Sequence, residues 1–290
     1  MDDCRHLVRL AVREDLDRFF DLTTVALVPE TARGRGRLIV REAGVCAGLP
    51  AAQVVVEEMN LDASLRALCS DGAAVSGGCC LAEILGSARD LLTAERLILN
   101  LLGRLSGIAT LTRQFVDRIA GTRARIYDTR KTTPAWRRLE KYAVRCGGGY
   151  NHRTGLFDAL LIKDNHLAQG SDAGLSPAAA VRKARRFLAA GGSGRGDTLV
   201  EVEVDTWEQF EEALGSGPDI ILLDNMPPEQ LREAVRRRDA AGAAVELEAS
   251  GGVRLATVRA IAETGVDRIS VGALTHSAVT LDVGLDWVAP

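Results

Sequence analysis

From Ala124 onward, short apolar or β-branched runs alternate with longer amphipathic ones, and this alternation narrows the fold more than any other feature of the chain. The apolar runs are 124–128, 159–163, 199–204, 220–223, 245–249 and 268–271. Between the later runs, segments 177–190, 206–214, 228–241 and 255–264 carry apolar residues at helical spacing with charged residues opposite, the period of a helix with one buried face. Strands alternating with helices predict a parallel sheet, because each crossover helix returns the chain to start the next strand in the same direction.

Nearly every run ends in a polar residue or glycine: Asp128-Thr129-Arg130, Lys163-Asp164, Glu203, Asp224-Asn225, Ser250-Gly251-Gly252 and Gly272. In a barrel of βα units the loops after the strands share one face, so these positions are expected to converge on one mouth. The glycine-rich ends Ser250-Gly251-Gly252 and Gly272 lead toward helices, where backbone N–H groups can hold a phosphate; ordinary turn chemistry is the plainer reading. Glu203 and Asp224 close apolar strands, where a carboxylate needs a cation. Either an ion pair with Arg130 or Lys163 or a shared Mg²⁺ meets that need, and hard oxygen donors favour Mg²⁺. Glu201 is expected to face away from the mouth, leaving Glu203 as the acid that enters it.

Charge is concentrated in one stretch. Between Arg130 and Lys163 there are eight Lys/Arg residues against Glu140 and Asp158 alone, in a chain of formal charge −3. Arg137, Arg138, Lys141 and Arg145 recur once per turn and read as the wet side of a helix. Arg130, Lys131, His152, Arg153 and Lys163 flank strand-like or glycine-rich segments instead, and read as a pocket for a multiply anionic small molecule. Gly147-Gly148-Gly149 supplies backbone that can approach a ligand closely or adopt a positive φ.

The remaining features set limits. The chain's 47% hydrophobic and 26% charged content is that of an ordinary globular protein. No stretch approaches the ~20 apolar residues that span a bilayer, and with 4% aromatic content and a slightly acidic balance an extended nucleic-acid face is not expected. The six cysteines form no metal-ligand spacing and read as reduced thiols of a cytoplasmic protein; Cys146, beside the glycine run, reads as a packing residue rather than a nucleophile. Residues 1–110 lack the βα repeat and contain turn-bounded strands near 37–40 and 78–85, a separate α+β domain. Segment 93–119 is helical in pattern, with Thr93 and Glu95 as start signals and Ser106-Gly107 as a break.

An ordered set of motifs resembles the quinolinate phosphoribosyltransferase family: Glu95-Arg96, Leu105-Ser106-Gly107-Ile108-Ala109-Thr110, the run from Asp128 to Pro134, Lys141-Tyr142-Ala143-Val144-Arg145-Cys146-Gly147-Gly148-Gly149, Asn151-His152-Arg153, Ile162 to His166, Glu201-Val202-Glu203-Val204, Leu223-Asp224-Asn225-Met226, Leu247 to Gly252, and Ile269 to Ser277. The resemblance implies an open seven-stranded α/β barrel (111–277) with an N-terminal α+β sandwich domain (1–110, joined by about 278–290). Six strands are countable, and the seventh is expected near 146–151. It also implies transfer of phosphoribosyl from phosphoribosyl pyrophosphate to quinolinate with Mg²⁺ and loss of CO2, in a head-to-tail homodimer where Arg96 acts in the partner's site. Arg96, Arg130, His152, Arg153 and Lys163 are then assigned to quinolinate. Lys131 is assigned to phosphoribosyl pyrophosphate, Glu203 and Asp224 to the ribose hydroxyls or Mg²⁺, and Ser250, Gly251, Gly252 and Gly272 to the 5′-phosphate. His276 either lines the phosphate end or serves as a helix start.

Two departures stand out. Phe20 occupies a position where the family usually has glycine, and Ala135-Trp136 replaces a glycine and an apolar residue after Pro134. Two rival readings share part of the pattern: a molybdenum-transport-associated relative of the family, and a nonenzymatic sensor of nucleotide or dicarboxylate.

Overall fold

The computed structural model describes residues 2–170, 174–192 and 197–288. The chain divides into two compact units: Met1–Arg113 with Lys131–Gly149 and Leu274–Pro290, and Gln114–Arg130 with Tyr150–Ala273.

In the first unit, β1 (Arg33–Val40), β3 (Ala63–Ala67) and β5 (Cys80–Ser87) join the C-terminal strand Val283–Trp287 in an antiparallel sheet. Its order is Val283–Trp287, β1, β5, β3, and β2 (Gly44–Val45) pairs separately with β4 (Ala74–Val75). Helix Leu49–Glu58 starts with proline in its first turn, where the missing N–H costs nothing. It buries Ala51, Ala52, Val54 and Val55 and packs on β3 and on helix Asp2–Leu16, whose Leu7 and Val8 are buried.

Helix Ala88–Arg118 is continuous for 31 residues, and Ser106-Gly107 does not break it. Both residues are small for packing: the buried Ser106 hydroxyl donates to Ala47 O at 3.1 Å, and a Cβ on Gly107 would lie 2.0 Å from Val279 O. Thr93 lies inside this helix, where its hydroxyl donates back to Arg89 O at 2.9 Å. The start is at Ser87 instead, whose Oγ accepts from Asp90 N at 3.4 Å.

Helix Arg137–Cys146 corrects the reading of its charged face. Lys141 is 2% exposed and Glu140 is fully buried, while Arg138 and Arg145 face water. The glycine run packs against helix Ala88–Arg118, where a Cβ on Gly147 would lie 2.4 Å from Ala109 O and one on Gly149 2.8 Å from Thr112 Cγ2, and Gly148 adopts the positive φ that the sequence allowed, 89°. Burial pushes the Cys146 thiol up to about 11, so it stays protonated and inert at neutral pH.

Of the two family departures, Phe20 needs no glycine, since its φ is not positive. Ala135 does adopt the left-handed conformation, with φ of 67°. Relief of that strain exceeds the extra unfolded-state entropy of glycine, so Ala135→Gly should raise the unfolding free energy by about 0.5 kcal/mol. Urea unfolding will test this, and a loss of stability would refute the strain.

In the second unit, β6 (Arg125–Tyr127), β7 (Leu160–Ile162), β8 (Val200–Val204), β9 (Ile220–Asp224), β10 (Glu246–Ser250) and β11 (Arg268–Ser270) form a sheet ordered β6-β11-β10-β9-β8-β7. All its pairings are parallel. The seventh strand is reduced to a parallel bridge from Tyr150 to Tyr127 at the β6 edge. One face presents Val200, Val202, Ile221, Leu223, Leu247 and Ile269, all fully buried. Helices Pro177–Ala189, Trp207–Leu214 and Pro228–Ala240 follow the predicted segments, and Ser176 and Thr206 cap the first two through side-chain oxygens. The helix expected over 255–264 is shorter, Val258–Ala262.

The other face of the sheet carries Glu201, Glu203, Glu248 and Arg268 beside the apolar Ile220 and Leu222. His152, two residues past the Tyr150 edge, reaches Glu201 on β8 and Glu248 on β10. A side chain at one edge can meet strands so far across only if the sheet curls on itself, so the six strands and the Tyr150 bridge form an open α/β barrel.

Candidate active site

Residues two apart on a strand point the same way, so Glu201 and Glu203 both enter the barrel. The expectation that Glu201 faces outward was wrong. Glu201 lies one layer deeper, 1% exposed, and belongs to a buried ionic cluster that the strand pattern did not reveal. His152 Nε2 lies 3.1 Å from Glu201 Oε2 and 3.3 Å from Glu248 Oε1. Arg268 Nε donates to Glu248 Oε2 at 2.6 Å, and its guanidinium stacks 3.7 Å from the centre of the Tyr127 ring, a favourable cation–π contact. Asp128, fully buried, accepts the His152 backbone N–H at 2.8 Å. A usable signal was present: glutamates at alternate positions of strands that are otherwise apolar.

The groups of this cluster shift one another's protonation. Burial raises the Glu201 pKa, and the adjacent Glu248 charge raises it further. Burial also opposes Glu248 ionisation, but His152 and Arg268 outweigh it and hold that carboxyl down. For His152, burial disfavours the cation, yet the bonds and charges of Glu201 and Glu248 together raise it to about 10. Nδ1 meanwhile accepts the Arg153 N–H at 2.8 Å, so full protonation of the ring would break that bond. The three donors lie within 4.8 Å of one another, close enough for a metal. A hydrogen on Nε2, which the Nδ1 contact enforces, instead makes the trio a hydrogen-bonded cluster.

Above this layer stand the strand-end residues. Lys163, directly after β7, forms an ion pair with Glu203, which is the ion-pair alternative of the sequence reading. Glu203 is in register with Leu222, so Asp224 lies on the same face, one step nearer the strand C-termini. Asp224 Oδ2 accepts from Asn225 Nδ2 at 2.6 Å. Glu203 and Asp224 therefore offer hard oxygens at adjacent strand ends, a donor set suited to Mg²⁺ completed by water and phosphate.

Arg130 follows β6, and Arg153 follows His152. Burial lowers the Arg153 pKa, and the Arg130 charge lowers it further. Two half-buried guanidiniums that repel each other are what a dianion would relieve.

Ser250, Gly251 and Gly252 form a tight backbone cradle. Gly251 and Gly252 have φ of 95° and 59°, and a Cβ on Gly251 would lie 2.1 Å from Asn225 Oδ1 and 2.9 Å from Asn225 N. No atom lies within 4 Å of a Cβ position on Gly252. The next helix begins only at Val258, so any anion here is held by the loop rather than a helix N-terminus, whereas Gly272 directly precedes helix Ala273–His276. Gly251→Ala should cost at least about 2 kcal/mol through backbone strain and the clash with Asn225; an unchanged urea midpoint would exclude the tight turn.

In the first unit, Arg96 is exposed on its helix and Lys131 in the loop after β6, while His276 is exposed as the last residue of helix Ala273–His276 and so is not a helix start.

A parallel barrel with cations, acids and a glycine cradle at its strand ends defines an enzyme of the phosphoribosyltransferase class. The chain belongs to the quinolinate phosphoribosyltransferase family: residues 21–106 match its N-terminal domain and residues 108–286 its C-terminal domain. It is 46% identical over 287 residues to nicotinate-nucleotide pyrophosphorylase [carboxylating] of Mycobacterium leprae, covering 98% of this chain and 97% of that one. It is 36% identical over 298 residues to quinolinate phosphoribosyltransferase [decarboxylating] 2b, mitochondrial, of Nicotiana tabacum, covering 98% and 82%. The structure of the nicotinate-nucleotide pyrophosphorylase from Francisella tularensis superposes with a TM-score of 0.88 at 38% identity, covering 99% of this chain and 96% of that one.

Proposed function

We propose that the protein transfers phosphoribosyl from phosphoribosyl pyrophosphate to quinolinate with decarboxylation, yielding nicotinate mononucleotide, pyrophosphate and CO2 in de novo NAD biosynthesis. The observation that carries this reading is that Arg130 and Arg153 stand together at the strand ends of one barrel, two forked cations matched to a dicarboxylate. Lys163 adds a third cation, His152 orders the Arg153 backbone, and Arg96 is assigned to quinolinate from the partner subunit of a homodimer.

Lys131 and His276 are assigned to the phosphates of phosphoribosyl pyrophosphate, and Ser250, Gly251, Gly252 and Gly272 to the 5′-phosphate. Glu203 and Asp224 would hold Mg²⁺ or the ribose hydroxyls, and Mg²⁺ there would offset the charge of departing pyrophosphate. Their carboxylates also favour the positive charge that grows at the anomeric carbon as the pyridine nitrogen bonds to it. The resulting pyridinium accepts the electron pair left by CO2, and C2 then takes a proton. No covalent nucleophile is needed. A cytoplasmic setting fits six free cysteines and the lack of any membrane-spanning helix among the described residues.

The test is incubation with quinolinate, phosphoribosyl pyrophosphate and Mg²⁺, following nicotinate mononucleotide and CO2, with nicotinate as a parallel substrate. Product from quinolinate alone supports the reading; product from neither acid overturns it. For Arg96, inactive Arg96→Ala and Lys163→Ala homodimers are mixed. Recovered activity supports action in trans, and none despite proven subunit exchange refutes it.

A further inference from the structure

We propose that Arg104, Glu140 and Thr275 are positioning residues that fix the main chain at Lys131 and His276, and through it the binding of phosphoribosyl pyrophosphate. The inference rests on the functional reading above for the role of those two side chains.

Three segments far apart in sequence meet at one guanidinium–carboxylate pair. Arg104, on helix Ala88–Arg118, donates Nη2 to Glu140 Oε1 at 2.7 Å. The same guanidinium donates to Thr275 O and, through Nη1, to Ala278 O at 3.0 Å. Those two carbonyls bracket His276. Glu140, fully buried on helix Arg137–Cys146, accepts both donors of Thr133: N–H to Oε2 at 3.1 Å and hydroxyl to Oε1 at 2.9 Å. The Thr275 hydroxyl closes the knot by donating to Lys131 O at 2.7 Å.

The pattern of bonds argues for positioning. A buried ion pair gains little stability over apolar side chains of the same size, so cohesion alone does not explain one here. What this pair supplies is direction. Outside the pair itself, its bonds end on Thr133 and on carbonyls of the 275–278 segment, while the Lys131 and His276 side chains stay exposed. The strained Ala135 follows in the same loop, and a strained backbone persists only where its surroundings over-determine it. Arg130, Arg153 and Lys163 make none of these bonds. The network should therefore affect one substrate and spare the other.

The decisive variants are Thr275→Val, which removes the hydroxyl that donates to Lys131 O, and Glu140→Gln, with Thr275→Ser as the conservative rescue. In variants with wild-type circular dichroism, KM for phosphoribosyl pyrophosphate should rise about 10-fold, the scale of a sub-ångström misplacement. KM for quinolinate should stay within about twofold, and Thr275→Ser should return both to wild type. An unchanged KM for phosphoribosyl pyrophosphate in folded Thr275→Val and Glu140→Gln, or an equal rise for both substrates, overturns the proposal. Calorimetric titration with Mg²⁺ and pyrophosphate gives the same contrast without turnover. If wild type fails to consume quinolinate yet Thr275→Val binds pyrophosphate more weakly than wild type, the functional reading falls and the positioning role stands; equal binding removes the positioning role.

Discussion

Arg268→Ala should lower the melting temperature by about 10 °C, the largest stability effect of any single change in the barrel interior. The substitution strips the fully buried Glu248 of one of the two groups that hold it ionised, leaving His152, and removes the stacking on Tyr127. Breaking one side of a buried pair costs about 3–5 kcal/mol, and for a chain of this size each kcal/mol is worth roughly 2–4 °C. The pH dependence gives a second readout with a definite sign. In the wild type Glu248 is held below its ordinary pKa, so its contribution is present above the unfolded value and lost as pH falls. Without Arg268 that pKa rises, so the variant's deficit should shrink as pH falls and Glu248 takes up a proton. Thermal scans across pH test both parts, and a deficit that grows on acidification would exclude Glu248 as its source.

Glu203→Gln should reduce kcat by about 10²–10³ while KM for quinolinate changes by no more than a few-fold, the signature of an interaction made in the transition state. Gln preserves the shape of Glu203 and a hydrogen bond to Lys163, so the fold and the quinolinate cations persist. On the proposed function, what is lost is the negative charge that would face the ribose as pyrophosphate leaves. Lys163 neutralises this carboxylate in the free protein, which lets a charged group stand half-buried at the mouth until substrates arrive. Steady-state rates with both substrates decide the matter; kcat within threefold of wild type would remove Glu203 from the chemistry.

The barrel was legible because its strands are bounded by polar or glycine residues and its crossover helices keep strict helical spacing. All six countable strands lie where the apolar runs place them. Tyr150 was harder to read, since a strand reduced to one bridge has no run of its own. The glycine run at 147–149 was read in part: Gly148 takes the positive φ that was one alternative, whereas the sequence could not show that a helix closely approaches Gly147 and Gly149. Lys141 was misread for a related reason. Spacing ranks helix faces by hydrophobicity, and a buried charge is invisible to that ranking until its partner is known.

Arg130, Arg153, Lys163, Glu203 and Asp224 could be singled out by sequence alone, because charge at the end of an apolar strand is costly without a task. The sequence therefore determined the element order, the parallel sheet and the strand-end residues, all set by local periodicity and by the price of burying polar groups. Tertiary structure alone decided that His152 meets Glu201 and Glu248, that Arg268 pairs with Glu248 from β11, and that Arg104 joins Thr133 to Thr275 through Glu140. Those pairings depend on the curl of the sheet and the packing of helices, which bring together residues whose separation in the chain carries no local signal.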